Sequence, residues 1–179
     1  MSRKNGKNNK YTTWVITLFI ISFLISAALN YISAIVTNKL SIFVSFVSLI
    51  IVIIIGILFD IIGIAVTAAN EIPFHSMASK KVKGAKNSIW LIKNASKVSS
   101  ICNDVIGDVC GILSGSISAG IVFFISKNNN INIVLFSILL TASVAAVTIS
   151  GKSIGKYFAI SKSHEIVKIV GSIISIFIK

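Results

Sequence analysis

FDIIGIAVTAANEIPFHS, residues 59–76, decides how the chain is read. It opens inside a long apolar run with a carboxylate, Asp60, and closes on the only proline, Pro73, just before a lysine-rich segment. Every third or fourth position is small or polar (Asp60, Gly63, Thr67, Asn70), so a helix here carries one polar stripe on an apolar cylinder. An ionisable side chain inside an apolar span is costly. It therefore implies a partner and marks a candidate functional site.

Composition sets the class around that stretch. Hydrophobic residues make up 55% of the 179, charged residues 12%, and mean hydropathy is +0.94. Soluble domains carry about 25% charged residues. The chain is thus an all-α integral membrane protein forming one bundle, and its length leaves no room for an additional cytosolic domain of ordinary size. Cys102 and Cys110 lie eight residues apart in one apolar run, about 12 Å along a helix axis, too far for a mutual disulfide.

Residues 1–10 form a basic polar tail that reads as solvated and unstructured, and 11–38 an N-terminal transmembrane helix, apolar over Trp14–Val36. A basic start before an apolar run also describes a cleaved signal, and Ser26-Ala27-Ala28 offers a weak cleavage pattern, but the run exceeds a typical signal core. The second span is Leu40–Ala69, the third about Val98–Ile125 and the fourth about Ile131–Ser150. Each suits a hydrocarbon core about 30 Å thick. Fifteen of the 17 basic residues fall before the first span, between the second and third, or after Ser150. Basic loops stay cytoplasmic, which predicts four transmembrane helices in the cell membrane with both termini inside. The same distribution accounts for the net charge of +12 without nucleic acid and favours attraction to a lipid bilayer with anionic headgroups.

Residues 71–97 are too regular for a plain loop. Pro73 suits the first turn of a helix, and Ala78, Val82, Ala85, Ile89 and Ile92 make an apolar stripe, so juxtamembrane amphipathic helices are expected here with Trp90 at the interface. His75 reads as an interfacial packing residue. Residues 152–179 hold a similar amphipathic helix, expected from Gly155 onward. The alternative, a fifth span, rests on the short interrupted run Ile166–Ile178.

In the third span Asn103, Gly107, Gly111 and Gly115 recur every four residues, and Gly107, Gly111 and Gly115 form a helix-packing groove. Asp104 and Asp108 flank it; packing does not explain them, so they are either neutralised or line a cation site. Lys152 lies near the cytoplasmic end of the fourth span, between Gly151 and Gly155, which permit a bend. Counting from the inner boundary places Asp60, Asn103, Asp104 and Lys152 in the same half of the bundle.

Three stretches in order resemble one family, the transmembrane domain of the CorB/CorC and cyclin-M (CNNM) magnesium transporters. FDIIGIAVTAANE is similar to F-S-x-x-E-x-A-L-x-S-x-N-R, agreeing in kind at Phe59, Ala65, Thr67 and Asn70. SSICNDVIGD resembles S-T-x-x-G-N-N-x-x-N, with Asn103, Asp104 and Gly107 on its three asparagines. GKSIGKYFA resembles G-E-x-x-P-K-x-x-A, keeping Gly151, Lys156 and Ala159. The likeness spans roughly residues 40–175 and leaves the first helix as an addition. It implies a homodimer whose three core helices, ringed by a cytoplasmic belt of short helices, hold a dehydrated Mg²⁺ on oxygen ligands. On this sequence the metal positions would be Asp60, Asn103 and Asp104. The chain departs from the pattern where Asp60 replaces the serine, Gly107 an asparagine, Lys152 the glutamate and Gly155 the proline, and no CBS regulatory domain is present in these 179 residues.

A protonated lysine cannot ligate Mg²⁺. Lys152 paired with Asp60 would instead act as a tethered cation inside the bundle. Two functional readings follow. One is transport or homeostasis of Mg²⁺ or a related divalent cation; the other is a transport-inactive scaffold that associates with itself or with another membrane protein. No catalytic triad, metal-hydrolase histidine motif or phosphate loop points to an enzyme.

Overall fold

The computed structural model describes residues 3–39, 42–128 and 132–177. Among them every regular element is helical. These are α1 (Arg3–Lys39), α2 (Ile42–Ala68), α3 (Ile72–Ser79), α4 (Ala85–Lys93), α5 (Ala95–Ser99), a π-helical segment (Ser100–Gly107), α6 (Asp108–Asn128), α7 (Ile133–Ser161) and α8 (Ser163–Phe177). Four stretches are long and apolar enough to cross a membrane: Thr12–Tyr31, Ile42–Ala68, Ala95–Ser126 and Ile133–Ser161. The third is assembled from α5, the π-helical segment and α6 without interruption.

α2 is the hub, packing on α6, α7, α8, α5 and the π-helical segment. Two apolar cores lie along it. Within the bundle, Leu49 and Ile53 meet Ile117 and Ile121 of α6, with Leu140 and Val144 of α7 alongside. At the other end of α2, Ala65 and Val66 are fully buried together with Phe74, Leu91, Ala159 and Val167, so this core gathers α3, α4, α7 and α8. α1 rests on α6, tied by a 2.6 Å hydrogen bond from the Ser116 hydroxyl to Asn30 Oδ1.

Several boundaries differ from expectation, each for a local reason. Residues 3–10 are the first turns of α1 rather than an unstructured tail; no proline interrupts the helix before the span. At its other end α1 runs to Lys39, one residue past the expected boundary at 38. The third span's helix, α6, runs to Asn128, past the expected end at Ile125, and the rest of the connection to the fourth span lies outside the described residues up to Asn132, which starts α7 by accepting the Leu135 N–H on its side chain. α7 runs on past Ser150 to Ser161, and the amphipathic helix begins at Ser163, after a break at Lys162 (φ −115°, ψ 24°), rather than at Gly155.

Between α3 and α4 the chain turns through Lys81 (φ 55°) and Gly84 (φ 83°). This turn breaks the single apolar stripe expected over 71–97. Val82 is exposed on it, while Phe74 of α3 and Ala85, Ser88 and Leu91 of α4 are buried. The Ser88 hydroxyl donates to Val167 O at 3.1 Å, fastening α4 to α8, and Gly171 packs against Ser88.

Gly84 combines left-handed backbone with close approach, because an added Cβ would lie 2.5 Å from Ser172 N and 2.6 Å from Ser172 Cα. Left-handed strain alone costs on the order of 1–3 kcal/mol. Gly84→Ala is therefore expected to lower the melting temperature in detergent markedly, with Lys83→Ala near wild type in the same thermal-shift assay. Equal melting of the two variants would show that the α4–α8 junction does not depend on this glycine.

Candidate functional site

The site forms where α2, the π-helical segment and α7 converge. α7 reaches α2 through two glycine notches. A Cβ on Gly155 would lie 2.8 Å from Ile61 Cγ1, and one on Gly151 would overlap Ile57 Cδ1. The helix continues through both, so these glycines act here as seats for isoleucines and not as the helix end a bend would suggest. Lys152 lies between the notches, and this close packing delivers its ammonium to Asp60. Lys152 Nζ is 3.6 Å from Asp60 Oδ1, with side-chain exposures of 28% and 14%.

Gly107 closes the third side. A Cβ there would stand 3.5 Å from Lys152 Nζ and 4.0 Å from Asp60 Oδ1, so the missing side chain leaves space beside both charges. On the other side of Asp60 along α2, Gly63 receives Asn103, whose amide carbonyl occupies the place a Cβ would take. Asn103 Nδ2 donates to Ser99 Oγ at 3.3 Å, while Asn103 Oδ1 is buried without a hydrogen-bond partner. Gly56, toward the start of α2, meets Cys110; a Cβ added to this glycine would lie 3.0 Å from that of the cysteine. Glycines 56 and 63 thus let the third span lie close against α2 on both sides of Asp60.

The π-helical backbone carries Asn103 and Gly107 to α2. Such wide turns are rare, occur mostly within α-helices and often mark functional sites. They also change the phase of the residues that follow. Combined with the drift of about 40° per four-residue step in an α-helix, this winds the glycine stripe around the span. Gly107 faces the charge pair. At Gly111 and Gly115 an added Cβ would meet nothing within 4 Å, and both glycines line an open groove of about 280 Å³ between α6 and α7, with Ser114, Thr141 and Thr148.

The polar stripe of residues 59–76 divides in the same way. Asp60 and Gly63 face the bundle, whereas Thr67 and Asn70 are exposed. Asn70 Oδ1 accepts the Ile72 N–H at 3.0 Å and starts α3. Asp104 and Asp108 are exposed; Asp104 opens onto a separate cleft against α1. The structure therefore joins Asp60, Lys152 and Gly107, sets Asn103 beside them and leaves Asp104 and Asp108 elsewhere. No group of three or more His, Cys, Asp or Glu side chains arranged to hold a metal occurs among the described residues. Sequence reasoning missed the glycine notches at 56, 63, 151 and 155 as the means of approach, although small residues flanking an intramembrane charge are visible in the sequence.

No family model, curated protein or solved structure matches the chain.

A double-mutant cycle measures the pair. Lys152→Ala leaves the Asp60 carboxylate without its cation and is expected to cost about 1–3 kcal/mol, less than a fully buried pair because Lys152 keeps some solvent. Exposed Lys156→Ala serves as control. Asp60→Asn combined with Lys152→Ala should recover part of the loss. Strict additivity in the melting data would show that the two charges do not interact.

Proposed function

We propose that the protein is a membrane-embedded helical scaffold whose central cation position is filled by its own Lys152, and that it acts by associating with itself or another membrane protein rather than by transport. The observation that carries this reading is the 3.6 Å approach of Lys152 Nζ to Asp60 Oδ1 at the meeting of three spans. An ammonium there satisfies the carboxylate that a diffusible divalent cation would need. Asp104 lines a separate cleft and Asp108 is exposed, and neither forms an ion pair with Lys152. The surface offered to a partner helix is the small-residue groove of Gly111 and Gly115, whose open walls admit close backbone approach.

On this reading the basic segments keep both termini, with α3, α4 and α8, on the cytoplasmic side of the cell membrane. On that reading exposed Trp90, Ile169, Ile173 and Ile176 lie at the headgroup boundary of an anionic bilayer, with neighbouring lysines in water.

One observation favours the second reading, transport or homeostasis of Mg²⁺ or a related divalent cation. Asn103 Oδ1 is a buried oxygen with no donor, held one turn of α2 from Asp60, and a small hard cation takes such oxygens. Its entry requires Lys152 to swing aside.

Calorimetric titration of Mg²⁺ into the protein in nanodiscs separates the two. Wild type is expected to give no saturable heat, and Lys152→Glu, which replaces the ammonium by an oxygen ligand, to bind. Saturable wild-type binding abolished by Asp60→Asn would instead establish a working cation site and displace the scaffold reading.

A further inference from the structure

Asp108 is an exposed carboxylate deep within a membrane-crossing segment. It stands thirteen residues after the start of Ala95–Ser126 and eighteen before its end, so roughly 20 Å of helix lies on one side of it and roughly 27 Å on the other. Contacts with α2 fix the depth independently. Gly107 lies beside Asp60 and Cys110 beside Gly56, so Asp108 stands between those two levels, eight and twelve residues inside the Ala68 end of Ile42–Ala68. A hydrocarbon core about 30 Å thick, centred on spans of these lengths, encloses it.

Among the described residues Asp108 forms no ion pair. A carboxylate that faces lipid at this depth is costly, and such groups are ordinarily covered and paired. The chain holds no cation to spare for it. Lys39 and Lys127 stand at the far ends of α1 and α6, and Lys152 is engaged by Asp60. The other basic residues lie before the first span, between the second and third, or after Lys152. A second copy related by a twofold axis through this face would set Asp108 against Asp108, like charge against like. The missing cation therefore comes from a different chain.

The surface beside the carboxylate has the shape of a helix seat. Gly111, Gly115 and Ala119 follow Asp108 at three- and four-residue spacing and are exposed on the same face. The two glycines open the groove of about 280 Å³ between α6 and α7, where a partner backbone can come close. Charge and groove are thus continuous along one side of the third span.

We infer that this face docks a transmembrane helix of another membrane protein, one that carries a lysine or arginine at the depth of Asp108. The inference rests on the scaffold reading above and names the chemistry of its partner. The partner's cation donates charge-assisted hydrogen bonds to the Asp108 carboxylate, and its helix replaces lipid along Gly111 and Gly115.

Fluorescence energy transfer in bilayers between the labelled full chain and synthetic 21-residue leucine–alanine helices tests this. One peptide carries a single central lysine, the other leucine at that position. Wild type is expected to bind the lysine peptide about fivefold more tightly than the leucine peptide, the scale of one polar contact between membrane helices. The chain's net charge of +12 opposes nonspecific attraction of a cationic peptide. Asp108→Ala should erase the preference, Asp104→Asn should keep it, and Gly115→Leu should weaken binding of the lysine peptide. Equal binding of the two peptides by wild type would overturn the inference, as would a preference that survives Asp108→Ala. Transfer between labelled copies of the chain that is lost in Gly115→Leu, with no preference between peptides, would overturn this partner and leave the scaffold reading standing; the Mg²⁺ titration decides that reading separately. The wild-type ranking of the peptides is decisive should a variant fail to fold.

Discussion

A carboxylate in an apolar bundle must be neutralised, and the architecture around Asp60 is organised by that requirement. An unpaired charge at such a position costs several kcal/mol, whereas an opposite charge brought close removes most of the cost. Lys152 meets the need from another helix, 3.6 Å away and still partly solvated. The pair therefore specifies which face of α7 lies on α2 and at what height, a stronger constraint than apolar contact, which lipid tails would satisfy as well as protein.

Close approach is the means by which the pair forms. Gly151 and Gly155 let α7 settle onto Ile57 and Ile61, while Gly56 and Gly63 let the third span settle onto α2. The π-helical turns add a change of phase that turns Asn103 and Gly107 inward and sends the later glycines outward. One surface of the third span thus serves the internal site and another remains open. At the other end of α2 the second core packs α2 and α7 against α3, α4 and α8 through Ala65, Val66, Phe74, Leu91, Ala159 and Val167.

Much of this is legible in the sequence. Four apolar runs of spanning length, the amphipathic character of the later segments and the shared depth of Asp60 and Lys152 all follow from hydropathy and residue counting. What hydropathy does not carry are features set by phase. A four-residue spacing in Asn103, Gly107, Gly111 and Gly115 makes one stripe only on a fixed pitch; helical drift and a π-helical segment separate its members. Asp104 reads as a companion of Asn103 for the same reason and faces α1 instead. The turn at Lys81 and Gly84 likewise divides a stripe that is continuous in the sequence, because left-handed backbone at a lysine leaves no composition signal.

The most direct test of the central claim is a solid-state NMR distance measurement between lysine ¹⁵Nζ and aspartate ¹³Cγ in lipid bilayers, with Lys152→Arg used to assign the signal. Strong dipolar dephasing that disappears in the variant is the result required by an Asp60–Lys152 contact at 3.6 Å. A Lys152 signal with no dephasing by the Asp60 carboxyl carbon would contradict it and leave the carboxylate to be neutralised by something other than the chain's own lysine.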